Sequence, residues 1–527
     1  HNVSALVGYE DQIYKSDQTN TSGNLLFSNP YFTSISGDKD AYGIGGIYRD
    51  VEHKAFFGRL NYNYDERYLI EAQIRRDGSS YFAPGHQWGW FPSASAGWRV
   101  SQEPWFKNSS ALSFINQLKI RASYGVMGDD RGPSDYAWMT GYTYRGGESS
   151  ERGWYNGYVP GYLFNGQFIY TVDPQPLPNE NYSWYKIKTF NIGVDFEAWN
   201  GLLGASFDYF RRHRSGLLTQ NTSDMPTVVG AGAPVENGES DYNMGLELQL
   251  THRNRIGEVN YGITGMLTIT RQKYGVSLRN GNYGNSYDQW RNDNLNNRYQ
   301  GVQFGYEGDG RFSSWEDIWD YGQSIYTERD ALPGDYKYLD WNGDGEINSL
   351  DEHPYAYDQT PWMNYSFSID ASWRNFDLSI LFQGSALGSM EYVEPLHEVW
   401  GVAQSGGGVL TQFLDRWHPT NEGWTDPYDQ SLTWASGYYA LPGRWARSNS
   451  SFNRVNTDFL RLKSIELGYT LPKIKRLGNM TLRVYANAYN PLTFTKLKFV
   501  DPEHPSDSYG RMYPLNKTYT LGVNITL

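Results

Sequence analysis

Gln117–Met127 reads QLKIRASYGVM, and the fold turns on its alternation. Leu118, Ile120, Ala122, Tyr124 and Val126 share one parity; Lys119, Arg121, Ser123 and Gly125 share the other. Successive side chains on a strand leave opposite faces of the sheet, so this stretch has one apolar face and one polar face. DYNMGLELQLT, from Asp241, sets Tyr242, Met244, Leu246, Leu248 and Leu250 against Asn243, Gly245, Glu247 and Gln249. NYSFSIDASWR, from Asn364, does the same with Tyr365, Phe367, Ile369, Ala371 and Trp373. Similar segments begin near residues 2, 54, 67, 91, 185, 202, 258, 375, 458, 479 and 515. Together they make about 14 strands of about 10 residues each. FLRLKSIEL, from Phe459, is the poorest, with charge on both parities.

A soluble sandwich would also alternate, and three features argue for a membrane barrel instead. The connections are of two kinds. EAWNGLL (Glu197–Leu203) and SWRNFDL (Ser372–Leu378) turn within a few residues, whereas about 128–184, 274–361 and 385–456 are long insertions. Outer-membrane barrels have short turns on one side and long extracellular loops on the other. Trp98, Trp199 and Trp373 stand at or just before short connections, where an interfacial aromatic girdle belongs. The polar faces carry Arg, Lys, Glu and Asp, which suits a wet or plugged lumen. Hydrocarbon offers no hydrogen-bond partner, so such a sheet must close on itself. The fold class expected is all-β: a transmembrane antiparallel β-barrel with long extracellular loops, closed alone or as the later part of a larger cylinder.

Composition agrees. The 527 residues are 17% aromatic, with 44 Tyr and 19 Trp, residues whose apolar body and polar tip suit a boundary between dry and wet. Mean hydropathy is −0.66, and no run of 18 apolar residues exists for a transmembrane helix. The absence of Cys removes disulfides, thiolate metal sites and Cys nucleophiles together. A net charge of −13 argues against nucleic acid as a partner. No signal peptide precedes the opening strand HNVSALVGYEDQIY, so the chain is expected to be part of a longer polypeptide.

One cluster carries metal-like spacing. DWNGDGEINSLDE, Asp340–Glu352, fits a calcium-loop pattern through Asp340, Asn342, Asp344 and Gly345. In that register Glu346 offers its carbonyl, Asn348 falls at the ninth position and Asp351 at the twelfth, where a bidentate Glu is usual. The plainer reading is a pair of tight turns at Asn342-Gly343 and Asp344-Gly345. The expectation adopted is a structural Ca2+ ion that stiffens the loop. Catalytic motifs are missing: LHEVW (Leu396–Trp400) lacks a second His, and no G-x-S-x-G elbow or phosphate-binding glycine loop occurs. The protein is therefore read as not an enzyme.

Gly58–Phe82, Phe91–Phe106, Leu118–Asp129, Thr189–Phe210, Gly334–Asn348 (GDYKYLDWNGDGEIN) and Thr457–Lys473 (TDFLRLKSIELGYTLPK) resemble, in order, the SusC/RagA family of TonB-dependent outer-membrane transporters, the nutrient importers of Bacteroidetes. The resemblance implies a plugged barrel of about 22 strands of which this chain is the C-terminal portion. It also implies an N-terminal plug and TonB-contacting segment outside this chain, on a companion fragment, and a SusD-like surface lipoprotein partner as lid. Drive would come through TonB, in an outer-membrane lipid setting. Such barrels usually end in an aromatic residue. Here Leu527 ends a stripe of Leu521, Val523 and Ile525, and the reading takes it as the natural end.

The insertions are rich in rings whose flat faces suit sugars. The candidate ligand-binding residues are Trp138 and Trp154 in the first long loop, Trp290, Trp315 and Trp319 in the second, and Trp400, Trp417 and Trp434 in the third. For each ring, packing within the loops or against the lid is the competing role. As a set they favour a bulky cargo: an oligosaccharide in the reading adopted, an oligopeptide in the alternative. A passive pore or surface adhesin is the reading from another class.

Overall fold

The computed structural model describes residues 1–22, 43–131, 138–144, 161–170, 172–174, 176–220, 226–278, 295–321, 331–393, 396–397, 409–444, 446–447, 449–472 and 480–526. Fourteen strands form one sheet: β1 (Asn2–Ser22), β2 (Gly43–Tyr64), β3 (Tyr68–Ser79), β4 (Trp88–Arg99), β5 (Ile115–Asp129), β6 (Tyr185–Ala198), β7 (Leu203–Gln220), β8 (Val235–Ile256), β9 (Val259–Tyr274), β10 (Met363–Trp373), β11 (Phe376–Ala386), β12 (Phe459–Thr470), β13 (Thr481–Thr495) and β14 (Thr518–Thr526). Each pairs antiparallel with its neighbour in sequence, and β1 and β14 are the two edges. Several strands run further toward the loop end than the alternation suggested. β2 starts at Gly43, not near residue 54, and β8 at Val235.

Connections alternate strictly between the two ends. One end holds residues 65–67, 100–114, 199–202, 257–258, 374–375 and 471–480. The other holds 23–42, 80–87, 130–184, 221–234, 275–362, 387–458 and 496–517. The tight turns need unusual backbone: Trp199, Asn200 and Gly201 all take left-handed conformations, at φ of 54°, 55° and 85°.

Parity decides which face meets which solvent. On β3, Ile70, Ala72 and Ile74 are exposed on one side, while Glu71, Gln73, Arg75 and Asp77 line a concavity on the other. Exposure is 50% for Ile70, 47% for Leu250 and 85% for Leu521, and among the described residues no second layer covers this apolar face. The apolar stripes therefore face outward, as lipid requires, rather than across the interior of a sandwich.

β12 explains its own ambiguous sequence. The register with β11 slips between Leu381/Ser464 and Phe382/Leu462, leaving Lys463 as an extra residue. That bulge keeps Leu460, Leu462, Ile465, Leu467 and Tyr469 on the lipid side and Arg461 and Glu466 on the lumen side.

At the short-turn end the girdle is built as rings with anchors. Trp199 stacks on Phe114 at 5.1 Å, Trp373 on Phe376 at 5.9 Å, and Phe376 lies 4.7 Å from Tyr469. The Trp98 indole N–H donates to Glu103 Oε1 at 3.0 Å, which also accepts from the Tyr68 hydroxyl at 2.6 Å. The Tyr68 hydrogen bond, with help from Trp98 and Arg67, holds the Glu103 carboxyl below the usual carboxylate range.

Candidate functional site

The two longest connections fold together above the sheet. Tyr306, Phe312, Tyr336, Tyr338 and Ile347 from one, and Ala440 and Ala446 from the other, form a buried cluster. Short ladders support it: Gly308–Arg311 pairs with Tyr336–Tyr338, and Ser389–Glu391 with Arg454–Asn456. Arg444 spans the two connections with a forked contact to Asp335, and both side chains are buried. Burial pushes the Asp335 carboxyl up, opposed by the Arg444 guanidinium and the Leu332 amide. Gly334 adopts φ +89° with the Trp417 ring against the place a Cβ would take, so only glycine fits there.

This body accounts for several of the candidate tryptophans. Trp417 packs on Gly334, and Trp434 pairs with Pro419 in a two-residue ladder. Trp315 opens the helix Trp315–Tyr321, and Trp138 sits half-buried in the first long connection. The indole N–H groups of Trp138, Trp315 and Trp434 are buried and find no acceptor among the described residues. Trp319 is the widely exposed one, at 59%. Trp154, Trp290 and Trp400 lie outside the described residues. Rings outside the candidate set are as open: Tyr438 is 65% exposed, and Trp341, which stacks on His353 at 3.7 Å, is 52% exposed.

Beneath the loops, the concave face offers polar groups of both signs. A concavity of about 800 Å³ is lined by Glu71, Gln73, Arg75, Asp77, Arg212 and Trp184, among others. Arg75 donates to Glu10 at 2.9 Å and to Asp77 at 2.6 Å, while His53 meets Asp130 at 2.7 Å. Trp184 is held by its indole N–H to the Gln87 carbonyl at 2.8 Å and by Phe91 at 5.3 Å. Lower down, Arg121 bridges Asp208 at 2.5 Å and Asp195 at 3.1 Å. A concavity of about 1060 Å³ at the short-turn end is lined by Gln249, Arg253, Asp370 and Asp377. The strand residues among these charges, such as Glu71, Arg75, Asp77, Arg121 and Arg212, belong to the polar parity of their strands; that parity marks them as lumenal but does not show which of them meet.

The Asp-rich loop is organised around its own amides. Asp340 accepts from the N–H groups of Gly343 (2.7 Å), Asp344 (3.2 Å) and Gly345 (2.8 Å). The Gly345 amide, foremost among these, draws the Asp340 carboxyl below its ordinary value. Asp344 accepts from Glu346, and Asp351 from Trp341, Asn342 and Asn348. Asn348 and Asp351 form a capping box over the short 3₁₀ turn Ser349–Asp351. Among the described residues no three acidic or histidine side chains converge on a point suited to a metal ion.

A polar-lined, lipid-faced antiparallel sheet with short turns at one end and a folded loop body at the other defines the class: an outer-membrane β-barrel. The chain belongs to the family described as TonB dependent receptor-like, beta-barrel, which matches residues 2–271. Among curated relatives, TonB-dependent receptor P3 of Formosa agariphila is 26% identical over 549 residues, covering 100% of this chain and 50% of that protein. TonB-dependent receptor SusC of Bacteroides thetaiotaomicron is 27% identical over 479 residues, covering 89% and 43%. The chain thus spans about half the length of the curated relatives it matches. Among solved structures, the RagAB peptide transporter superposes with a TM-score of 0.72 at 21% identity, over 99% of this chain and 53% of that one. At that identity the likeness speaks for the fold. The family is one of receptors and not of enzymes, and its place is the bacterial outer membrane.

Proposed function

We propose that this chain forms part of an importer that carries oligosaccharides, the products of glycan breakdown, across the outer membrane. The observations that carry this reading are the exposed rings of the loop body, Trp319, Trp341 and Tyr438, and the charges of both signs on the concave face of the sheet. Rings bind sugar faces, and paired carboxylates and guanidinium groups bind hydroxyls. Energy would come through TonB, by way of a plug on a companion N-terminal region. A SusD-like lipoprotein would cover the loop body, and further strands would pair with the edges β1 and β14 to complete the cylinder.

The second reading is oligopeptide import. It is favoured by the ordered charges on the wall, Glu10, Arg75 and Asp77 together, which suit amino and carboxylate termini. The solved relative named a peptide transporter agrees with it. Growth of a deletion strain on a panel of glycans and peptides separates the two. Loss on glycans alone supports the first, loss on peptides alone the second, and unimpaired growth on all of them removes both in favour of a passive pore or adhesin.

Calcium at Asp340, Asn342, Asp344, Glu346, Asn348 and Asp351 is a separate proposal resting on the residue pattern. Binding would exchange the amide contacts of Asp340 for the ion. Calorimetric titration of the intact transporter tests it: heat and a raised melting temperature support the ion, and neither removes it.

A further inference from the structure

Cations gather on the lipid side of β6, β7 and β9, just at the loop end of the apolar band. The registers set Lys188 opposite His213, His213 opposite Tyr242, and Tyr242 opposite Lys273, in one row. One row nearer the short turns run Phe190, Arg211, Met244 and Arg271; one row nearer the loops stands Lys186, opposite Ser215. These positions share parity with Ile192, Phe207, Tyr209 and Leu248, so their heads leave the sheet on the outer face. The next row, Ile192, Tyr209, Leu246 and Ile269, carries no charge. The cations therefore mark one rim of the hydrocarbon, as Trp199 and Trp373 mark the other. From Lys188 to Lys273 is three strand spacings, roughly 15 Å.

Among the described residues none of these lysine and arginine heads has a carboxylate partner. Neighbouring acids are engaged elsewhere: Asp241 with Arg214 on the inner face, Asp129 with Arg131, and Asp130 with His53. Aromatic rings hold Arg211, Arg271 and Lys273 in place. Arg211 lies 4.7 Å from the Tyr242 ring and His213 stacks on that ring at 4.3 Å. Arg271 sits between Tyr299 at 3.4 Å and Trp362 at 3.8 Å, and its buried Nε has no acceptor among the described residues. In a chain of net charge −13, positive heads at a membrane rim with no carboxylate partner among the described residues are open to an anion from outside.

We propose that this belt binds the phosphate-bearing headgroups of outer-leaflet glycolipid. The lipid is the ligand continuous with the apolar band below. Guanidinium groups take phosphate oxygens in pairs, and lysines add point charge. The test titrates the intact transporter in neutral phosphatidylcholine nanodiscs with lipopolysaccharide, and separately with enzymatically dephosphorylated lipopolysaccharide. Lys188→Gln/Arg211→Gln/Lys273→Gln is expected to lower affinity on the order of a hundredfold, and dephosphorylated lipid to bind the unaltered protein comparably weakly. Lys186→Gln/Lys188→Gln, which touches only exposed side chains, is expected to lose about tenfold and covers a failure of the triple variant to fold. Arg374→Gln, at a short turn, should leave affinity unchanged. Equal affinity of the variants and the parent, or of the two lipids, overturns the proposal. So does loss of a protein partner with glycolipid binding intact.

Discussion

Arg444 and Asp335 stand 109 residues apart in sequence and meet in the interior of the loop body. Breaking a buried pair by removing one partner leaves an uncompensated charge, so Arg444→Ala is expected to cost about 3–5 kcal/mol of local stability. Faster hydrogen exchange at the amides of Phe312 and Gly334, which lie against Asp335, would report it. Asp501 gives a pH prediction. Burial raises its carboxyl, but the Glu503 amide, Arg461 and the Leu515 amide outweigh burial and the net shift is downward from 3.8. A depressed carboxylate stabilises the fold above its unfolded value and loses that contribution as pH falls through the folded value. Acidification from pH 5 to below about 3 should therefore loosen residues 496–517, seen as exchange of the Glu503 and Leu515 amides. Protection at these amides, corrected for the intrinsic slowing of exchange in acid, that does not change over that range would contradict it.

At the scale of the strand, parity is the determinant. Leu248 faces lipid between Phe207 and Leu267, and Gln249, beside it in sequence, faces the concave side. Leu248→Arg is expected to lose about 2–4 kcal/mol in reversible folding into bilayers, while Gln249→Arg changes stability by less than about 1 kcal/mol. Equal losses at the two positions would mean that the faces are assigned wrongly. β12 shows the limit of parity reading. Its charges fell on both faces until the extra residue Lys463 was placed, because a bulge is a property of the paired ladder and not of one strand. Lys463 then reaches Glu503 at 2.9 Å, in a connection that no local pattern links to it.

At the scale of the molecule, the loop body and the sheet are held together by different means. The body has its own buried cluster and its own ladders, whereas the sheet is held by neighbouring strands. Replacing residues 303–356 and 411–456 with short linkers is expected to leave a heat-modifiable, membrane-inserted barrel and to abolish growth on the cargo. Retained growth would move cargo recognition down to the concave wall.

Alternation determined the number of strands and the outward faces of all but β12, and the spacing between alternating segments determined the two kinds of connection, because lipid selects an apolar side chain at every second position. The candidate site was legible only as a set of rings. Trp417 and Trp319 look alike in sequence, yet one is packed on Gly334 and the other stands open. Which rings are core, which charges pair and where the unpaired cations gather were decided by tertiary contacts, since each depends on groups brought together from strands and loops far apart in the chain. Local sequence carries the solvent preference of a residue; only the folded sheet supplies its partner.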